Sequence, residues 1–220
     1  MKTLQELINR EEPGWLLVQR WVAEATNLVE VLPPPIDAVR EKALLETQVT
    51  TRSPMGAIVY ESGGIFVDHG WLRFLGAGHP RLPRSLPDWN LGRSFSEFGQ
   101  QPPFLLIADD VIGGFFAIDG GGLNLESGKV CYFAPDTMQW ENTGKGYSDF
   151  LAWALRGDLE KYYGSMRWTG WKEDLREVRG DQGFSIVPFL LSKEPPLDQR
   201  SRKLASVAEL YDLHIGDLKP

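Results

Sequence analysis

Apolar residues recur at helical spacing along the first quarter of the chain. Leu4, Leu7 and Ile8 share one face, and after Pro13-Gly14 the set Trp15, Val18, Val22 and Ala25 repeats in the same way. Pro13 suits the first turn of that second helix. The stretch "LPPPIDAVREKALLETQV" predicts a proline-stiffened entry into a third helix, with Val39, Ala43 and Leu44 inward and Glu41 and Lys42 outward. From Ser53 the pattern changes. "IFVDHGWLRFLGAG" holds two short apolar runs around Asp68-His69-Gly70, the signature of a hairpin. "PPFLLIADD", "IGGFFAID" and "KVCYFAPD" follow at the spacing of an antiparallel meander. Residues 79–103 form a proline-rich connection of a length that predicts either function or disorder.

Helical spacing then returns. Tyr147, Phe150, Leu151 and Ala154 line one stripe ending at Gly157, and a shorter helix runs from an Asp158 cap to Gly164. Trp171, Leu175 and Val178 predict another helix. "FSIVPFLLS" reads as an edge strand, because Pro188 has no N–H to donate to a sheet centre. "KLASVAELYDLHIG" reads as a closing helix stopped by Gly216. These elements predict an α+β fold: a mixed or antiparallel sheet of about five or six strands, with helices from both termini packed on it. The expected organisation is one domain over 1–220, with N-terminal helices at 1–52, a core at 53–163 and a C-terminal extension at 164–220.

Composition narrows the function classes. A chain of 220 residues that is 42% hydrophobic can bury a sizeable core. The formal net charge of −7 argues against nucleic-acid or anionic-membrane partners, which need a cationic surface. Cys131 is the single cysteine, so neither an internal disulfide nor a cysteine-rich zinc site is possible, and in a strand it is expected to be buried and inert. No apolar run approaches the roughly 20 residues that span a bilayer. The charged start "MKTLQELINREEPGW" does not read as a signal peptide, so a cytoplasmic protein is expected.

The glycines invite a phosphate-binding reading that fails on inspection. In "GLNLESGKV", Gly122 lies one residue too far from Gly128 for a P-loop, and Val130 stands where a magnesium-binding hydroxyl is needed. Gly120, Gly121 and Gly122 are better read as a turn between strands, and Gly113-Gly114 as a bulge or close backbone approach.

No catalytic set assembles in the sequence. Asp109 and Asp110 are adjacent on a strand and so point to opposite faces, unsuited to sharing a proton. Asp68-His69 is the best acid–base pair on paper. His69, His79 and His214 show no metal-ligand spacing, so no metal and no cofactor are expected. Trp15, Trp21, Trp153 and Trp171 fall within helices, whereas Trp71, Trp89, Trp140 and Trp168 lie nearer turns and are expected to be partly exposed. Charge is segregated: Arg73, Arg81, Arg84 and Arg93 precede an acidic stretch with Asp109, Asp110, Asp119 and Glu126. Either the two stretches neutralise each other internally or they face a partner and steer its approach.

The order "FLLIADDVIGGFFAID", "GKVCYFAPDTMQW" and "YSDFLAWAL" resembles the SUKH superfamily of bacterial immunity and interaction domains. Gly128, Val130 and Tyr132 match its G-x-V-Y-like strand start, and Phe150 and Leu151 its final helix, although Tyr147-Ser148 departs from the usual helix opening. "GGIFVDHGWLRFLGAG" and "TGKGYSDFLAWALRGDLEKYY" are closer still to an uncharacterised bacterial family of unknown function similar to SUKH proteins. The resemblance implies a non-enzymatic domain that binds a protein partner, in its immunity form a toxin. The expected contact residues are Asp109, Asp110, Asp119, Arg73, Arg81, Arg84, Arg93 and Trp89. The alternative is a hydrolase-like enzyme using Asp109 and Asp110, or Asp68 and His69.

Overall fold

The computed structural model describes residues 1–216. Helices α1 (Leu4–Leu7) and α2 (Gly14–Ala23) lead to strand β1 (Val29–Leu32), followed by α3 (Asp37–Thr47) and α4 (Pro54–Glu61). The hairpin β2 (Gly64–Val67) and β3 (Leu72–Leu75) turns at Asp68-His69-Gly70 as expected. Then come α5 (Leu86–Asn90) and the meander β4 (Phe104–Asp110), β5 (Phe115–Asp119), β6 (Val130–Ala134) and β7 (Gln139–Asn142). The chain continues through α6 (Tyr147–Arg156), α7 (Leu159–Tyr163) and α8 (Trp171–Asp174) to the hairpin β8 (Gln182–Val187) and β9 (Ser201–Ser206), and α9 (Val207–Ile215).

The fold is α+β. Strands β1 to β7 form one sheet in sequence order, every neighbour antiparallel, while β8 and β9 pair separately. Seven strands replace the expected five or six because two short ones escaped notice: β1, in a segment flanked by helical patterns, and the polar β7, "QWEN". The register sorts the side chains into two rows. One runs Glu30, Phe66, Arg73, Asp109, Phe115, Phe133, Trp140; the other runs Val31, Ile65, Phe74, Ala108, Phe116, Tyr132, Glu141. Successive residues of a strand alternate faces, so these rows mark the two faces of the sheet. We call them the arginine face and the tyrosine face.

Each face is covered. Trp89 of α5 stacks 6.5 Å from Phe115, and Tyr211 and His214 of α9 lie over Phe115 and Phe133, closing the arginine face. On the tyrosine face, Phe150 of α6 meets Phe74 at 5.3 Å and Phe116 at 4.6 Å. Helices α2 and α4 pack on each other and behind α6. Three local rules set the helix starts: Ser53 Oγ accepts the Gly56 N–H ahead of Pro54, Ser85 Oγ accepts that of Asp88, and Asp158 accepts that of Lys161. The expected closing helix is divided. Residues 201–206 form strand β9, and Ser206 opens α9 with a reciprocal Ser206–Glu209 capping box.

The proline-rich connection is ordered by α5. Asn90 is fully buried, and its side chain donates to the Leu106 carbonyl and accepts the Leu106 N–H, fastening the connection to β4. Tryptophan exposure departs from the expectation at six positions, Trp71, Trp89 and Trp168 being buried and Trp15, Trp21 and Trp153 half-buried, while Trp140 is half-buried and Trp171 buried as expected. Among the described residues, no helix is long and apolar enough to cross a membrane.

Candidate functional site

Asp109 and Asp110 end β4, one on each face, and neither reaches solvent. Asp109 Oδ2 accepts Arg84 Nη1 at 2.8 Å, and its Oδ1 lies 2.6 Å from Arg73 Nη2. The Arg73 contact is a close charge contact, and Nη2 also donates to the Asp110 carbonyl at 3.0 Å. Arg73 Nη1 donates to the Gln182 carbonyl, and Arg84 Nη2 donates to that of Gly180, so both guanidiniums tie β8's end to the sheet. Burial pushes the Arg73 pKa down, opposed by the Asp109 charge. Two arginines around one carboxylate leave a net positive charge at this point.

Asp110 meets a different environment. Its Oδ1 accepts the backbone N–H groups of Ile112 (3.1 Å) and Gly114 (2.8 Å), and its Oδ2 accepts the hydroxyls of Tyr132 (2.7 Å) and Tyr163 (3.3 Å). Burial raises its pKa to about 6, against the pull of the Tyr132 hydroxyl and the two amides. Both tyrosines are pushed far up by burial. Gly114 is required here, because a Cβ would collide with Asp110 Oδ2 and the Tyr132 ring. The expected close backbone approach at Gly113-Gly114 is therefore present, and Gly113 also carries φ +81° in the β4–β5 turn.

Asp119 is likewise internal. Its carboxylate accepts the N–H groups of Gly121, Leu123 and Leu125, organising the loop between β5 and β6. Burial alone would raise its pKa, but these amides hold it below the ordinary value. Gly120 and Gly122 both donate to the Pro103 carbonyl, and Gly121 has φ +106°. The three glycines thus fit a tight turn against Pro103.

These positions correct the expected contact surface. Asp109, Asp110, Asp119, Arg73 and Trp89 are buried, and Arg84 is spent on Asp109. Trp89 lies between two guanidiniums, Arg93 at 3.8 Å and Arg84 at 4.6 Å from its ring centroid. Of the segregated charges, only Asp109 meets arginines of the basic stretch, Arg73 and Arg84, while Arg81 pairs with Glu30 and Glu126 with Lys129. Nor do the alternative catalytic pairs assemble. Asp68 pairs with Arg167, His69 sits edge-on 6.0 Å from Trp171, and Asp109 and Asp110 are parted by the sheet. Asp68 and His69 hold left-handed backbone, φ +53° and +62°, as the tight hairpin demands.

What remains open on the arginine face is a cleft of about 290 Å³, lined by Phe66, His69, Arg73, Arg81, Arg176, Glu177 and Arg179 among others. A second lobe of about 220 Å³ shares Phe66, His69, Arg81 and Arg176 with it and adds Leu28, Glu30 and Lys172. Arg81 pairs with Glu30, Arg176 only loosely with Glu173 at 3.9 Å, and Arg179 with Asp181 at 3.0 Å. Arg73 Nε, at the buried end, has no hydrogen-bond partner. Of the expected contact residues, Arg73 and Arg81 reach this cleft. Lys172, Arg176 and Arg179 were missed, although the basic residues of "KEDLREVR" were visible in the sequence.

Comparisons with known proteins agree with one another. A putative uncharacterised protein, YbfG, of Escherichia coli K12 is 44% identical over 213 residues, 97% of this chain and 95% of its own length. An uncharacterised protein of Haemophilus influenzae is 39% identical over 218 residues, 99% of this chain and 95% of its own. No solved structure matches. The model of the protein family of unknown function DUF2625 matches residues 4–210, and none of these comparisons carries the SUKH resemblance. Over nearly its whole length, this chain belongs to the DUF2625 family.

Proposed function

We propose that this protein is a non-catalytic binding domain of the cytoplasm that captures an acidic segment of a protein partner in the cleft of the arginine face. One observation carries the reading: Arg73, Arg81, Lys172, Arg176 and Arg179 converge on one two-lobed cleft, against Glu30 and Glu177, in a chain of net charge −7. A cationic cleft in an otherwise acidic body focuses the field on a local target. The same net charge disfavours a long nucleic-acid backbone, which would lie against repelling surface. A short acidic loop meets only the cleft, with Phe66 and Leu28 as apolar contacts. The interaction reading is further supported by the internal use of Asp109, Asp110 and Asp68, the carboxylates an enzymatic alternative would need. The SUKH resemblance, which the comparisons do not carry, implies a toxin or another protein as partner; the acidic segment is read from the cleft alone.

The experiment is a paired charge reversal, Arg176→Glu with Arg179→Glu. Both side chains are exposed, so the melting temperature should hold. A glutamate-rich peptide should bind the unaltered protein saturably, weaken as salt rises, and be lost on the double reversal. Binding indifferent to the reversal, or stronger retention of a DNA duplex than of the peptide, overturns the reading.

A further inference from the structure

The tyrosine face holds a second cavity, of about 220 Å³ and unlike the first in chemistry. Five aromatic rings from four elements close a circuit around it. Phe116 of β5 stacks on Tyr132 of β6 at 4.4 Å between centroids, and Tyr132 lies 6.1 Å from Tyr162 of α7. Tyr162 meets Trp153 of α6 edge-on at 4.9 Å, Trp153 stacks on Phe150 at 5.7 Å, and Phe150 returns to Phe116 at 4.6 Å. Phe116 with Tyr132 and Trp153 with Phe150 turn faces on each other, whereas Trp153 and Tyr162 meet edge-on at the outer side, so a group seated against these two lies within the roughly 6 Å reach of a cation–π contact. Rings on a helix–sheet interface are ordinarily core. Here Phe116, Tyr132 and Phe150 form a buried floor, while Trp153 is half-buried and Tyr162 is 38% exposed, so the circuit opens outward.

The mouth is lined by Glu141, opposite Tyr132 in register, and by Lys145. Lys145 Nζ lies 6.0 Å from the Trp153 centroid and donates to the Thr143 carbonyl at 3.3 Å. The protein therefore already places a cation at the edge of the rings. Burial, and after it the charges of Asp110, Glu141 and Asp136, push the Tyr162 hydroxyl's pKa up. A primary ammonium or a metal ion would give up strong hydration to enter a floor without free acceptors. A cation whose nitrogen is methylated has little hydration to lose and presents only apolar C–H surface to the rings.

We propose that this cavity is a binding site for an alkylated ammonium group, with Glu141 supplying the compensating charge and Lys145 competing at the mouth. It is independent of the cleft on the opposite face. The test is titration of the full chain with tetramethylammonium and choline, followed by tryptophan fluorescence and by NMR shifts of Trp153. Both should bind saturably and compete with each other. Tyr162→Ala, at a partly exposed position, and Trp153→Ala should each weaken binding about tenfold. Glu141→Gln should weaken it and Lys145→Met should tighten it, each about threefold, in line with one weakly screened charge. Arg176→Glu with Arg179→Glu should leave it unchanged. A trimethyllysine peptide run beside choline distinguishes a modified protein from a free small molecule as the source of the group. Failure of both small cations to saturate, preference for benzoate, or weaker binding in Lys145→Met overturns the proposal.

Discussion

Asp109 and Asp110 are neighbours on one strand, equally buried, and stabilised by opposite means. On the arginine face, Asp109 stays beside two guanidiniums, and the charge is balanced by charge. On the tyrosine face, Asp110 is held by two hydroxyls and two backbone amides, without a cation, and its pKa rises to about 6. The strand's alternation alone separates them. The comparison teaches that burial does not dictate one electrostatic solution. What lies across each face decides: Arg73 in register with Asp109 on β3, and Tyr132 and Tyr163 reaching Asp110 from β6 and α7. One sheet thus carries excess positive charge on one face and aromatic rings on the other.

The largest expected effect comes from breaking the charged side. Asp109→Ala strips the counter-charge from Arg73, which is fully enclosed, and from Arg84. Leaving buried charge uncompensated costs about 3–5 kcal/mol. Urea unfolding should show a loss of that order, and adding Arg73→Met should recover part of it. A loss below about 1 kcal/mol would mean that the arginine face is wet rather than sealed.

Removing the carboxylate on the other face, here by an isosteric amide, should behave differently. In Asp110→Asn, the amide oxygen can still accept from Ile112 and Gly114 while the amide N–H turns to the tyrosine oxygens, so the stability loss at pH 7 should be the smaller of the two. The pH dependence separates them further. The folded-state pKa of Asp110, about 6, lies above the ordinary 3.8, so between these values the folded state binds the proton more tightly than the unfolded chain. This contribution to stability is fully present below about pH 4 and is lost as pH rises through 6. The difference in unfolding free energy between wild type and Asp110→Asn should therefore shift against wild type across pH 4 to 6. Taking the difference removes the opposing trend from His214, whose pKa burial lowers. A flat difference would show that folding does not raise the Asp110 pKa.

Much of this architecture was legible from the pattern of side chains, and the rest was hidden for identifiable reasons. The meander β4 to β6, the hairpin at Asp68-His69-Gly70, the Asp158 cap and helix α6 follow from local periodicity and turn chemistry, which short windows contain. The opposite facing of Asp109 and Asp110 was also readable. Strand β7 escaped because its residues are mostly exposed and polar, and α5 because a single turn held by Ser85 and Asn90 has no period to detect. The partners of the buried acids were not readable at all: Arg73 reaches Asp109, and Tyr163 reaches Asp110, only through the sheet's register and the return of α7. Trp89 was misplaced for the same reason, since Phe115 of β5 and Tyr211 of α9, both far along the chain, pack against it.

The smallest expected effect concerns a third acid that uses neither solution. Asp119 has no cation and no hydroxyl, and its carboxylate instead gathers three backbone N–H groups of the following loop. These amides stand at the protein's edge, where the flanking residues Gly120 and Leu125 are exposed, so water can replace a lost acceptor. Asp119→Ala should cost only about 1 kcal/mol, the net worth of ordinary hydrogen bonds rather than of a stranded charge. Its clearest sign should be local: amide hydrogen exchange at Gly121, Leu123 and Leu125 should quicken while β5 and β6 stay protected. Because the depressed pKa of Asp119 favours the folded state above the unfolded carboxylate range, its contribution should vanish as pH falls through that pKa, the reverse of Asp110. If instead Asp119→Ala unfolded the sheet as a whole, the loop would be part of the cooperative core, and the ordering of the three acids would fail.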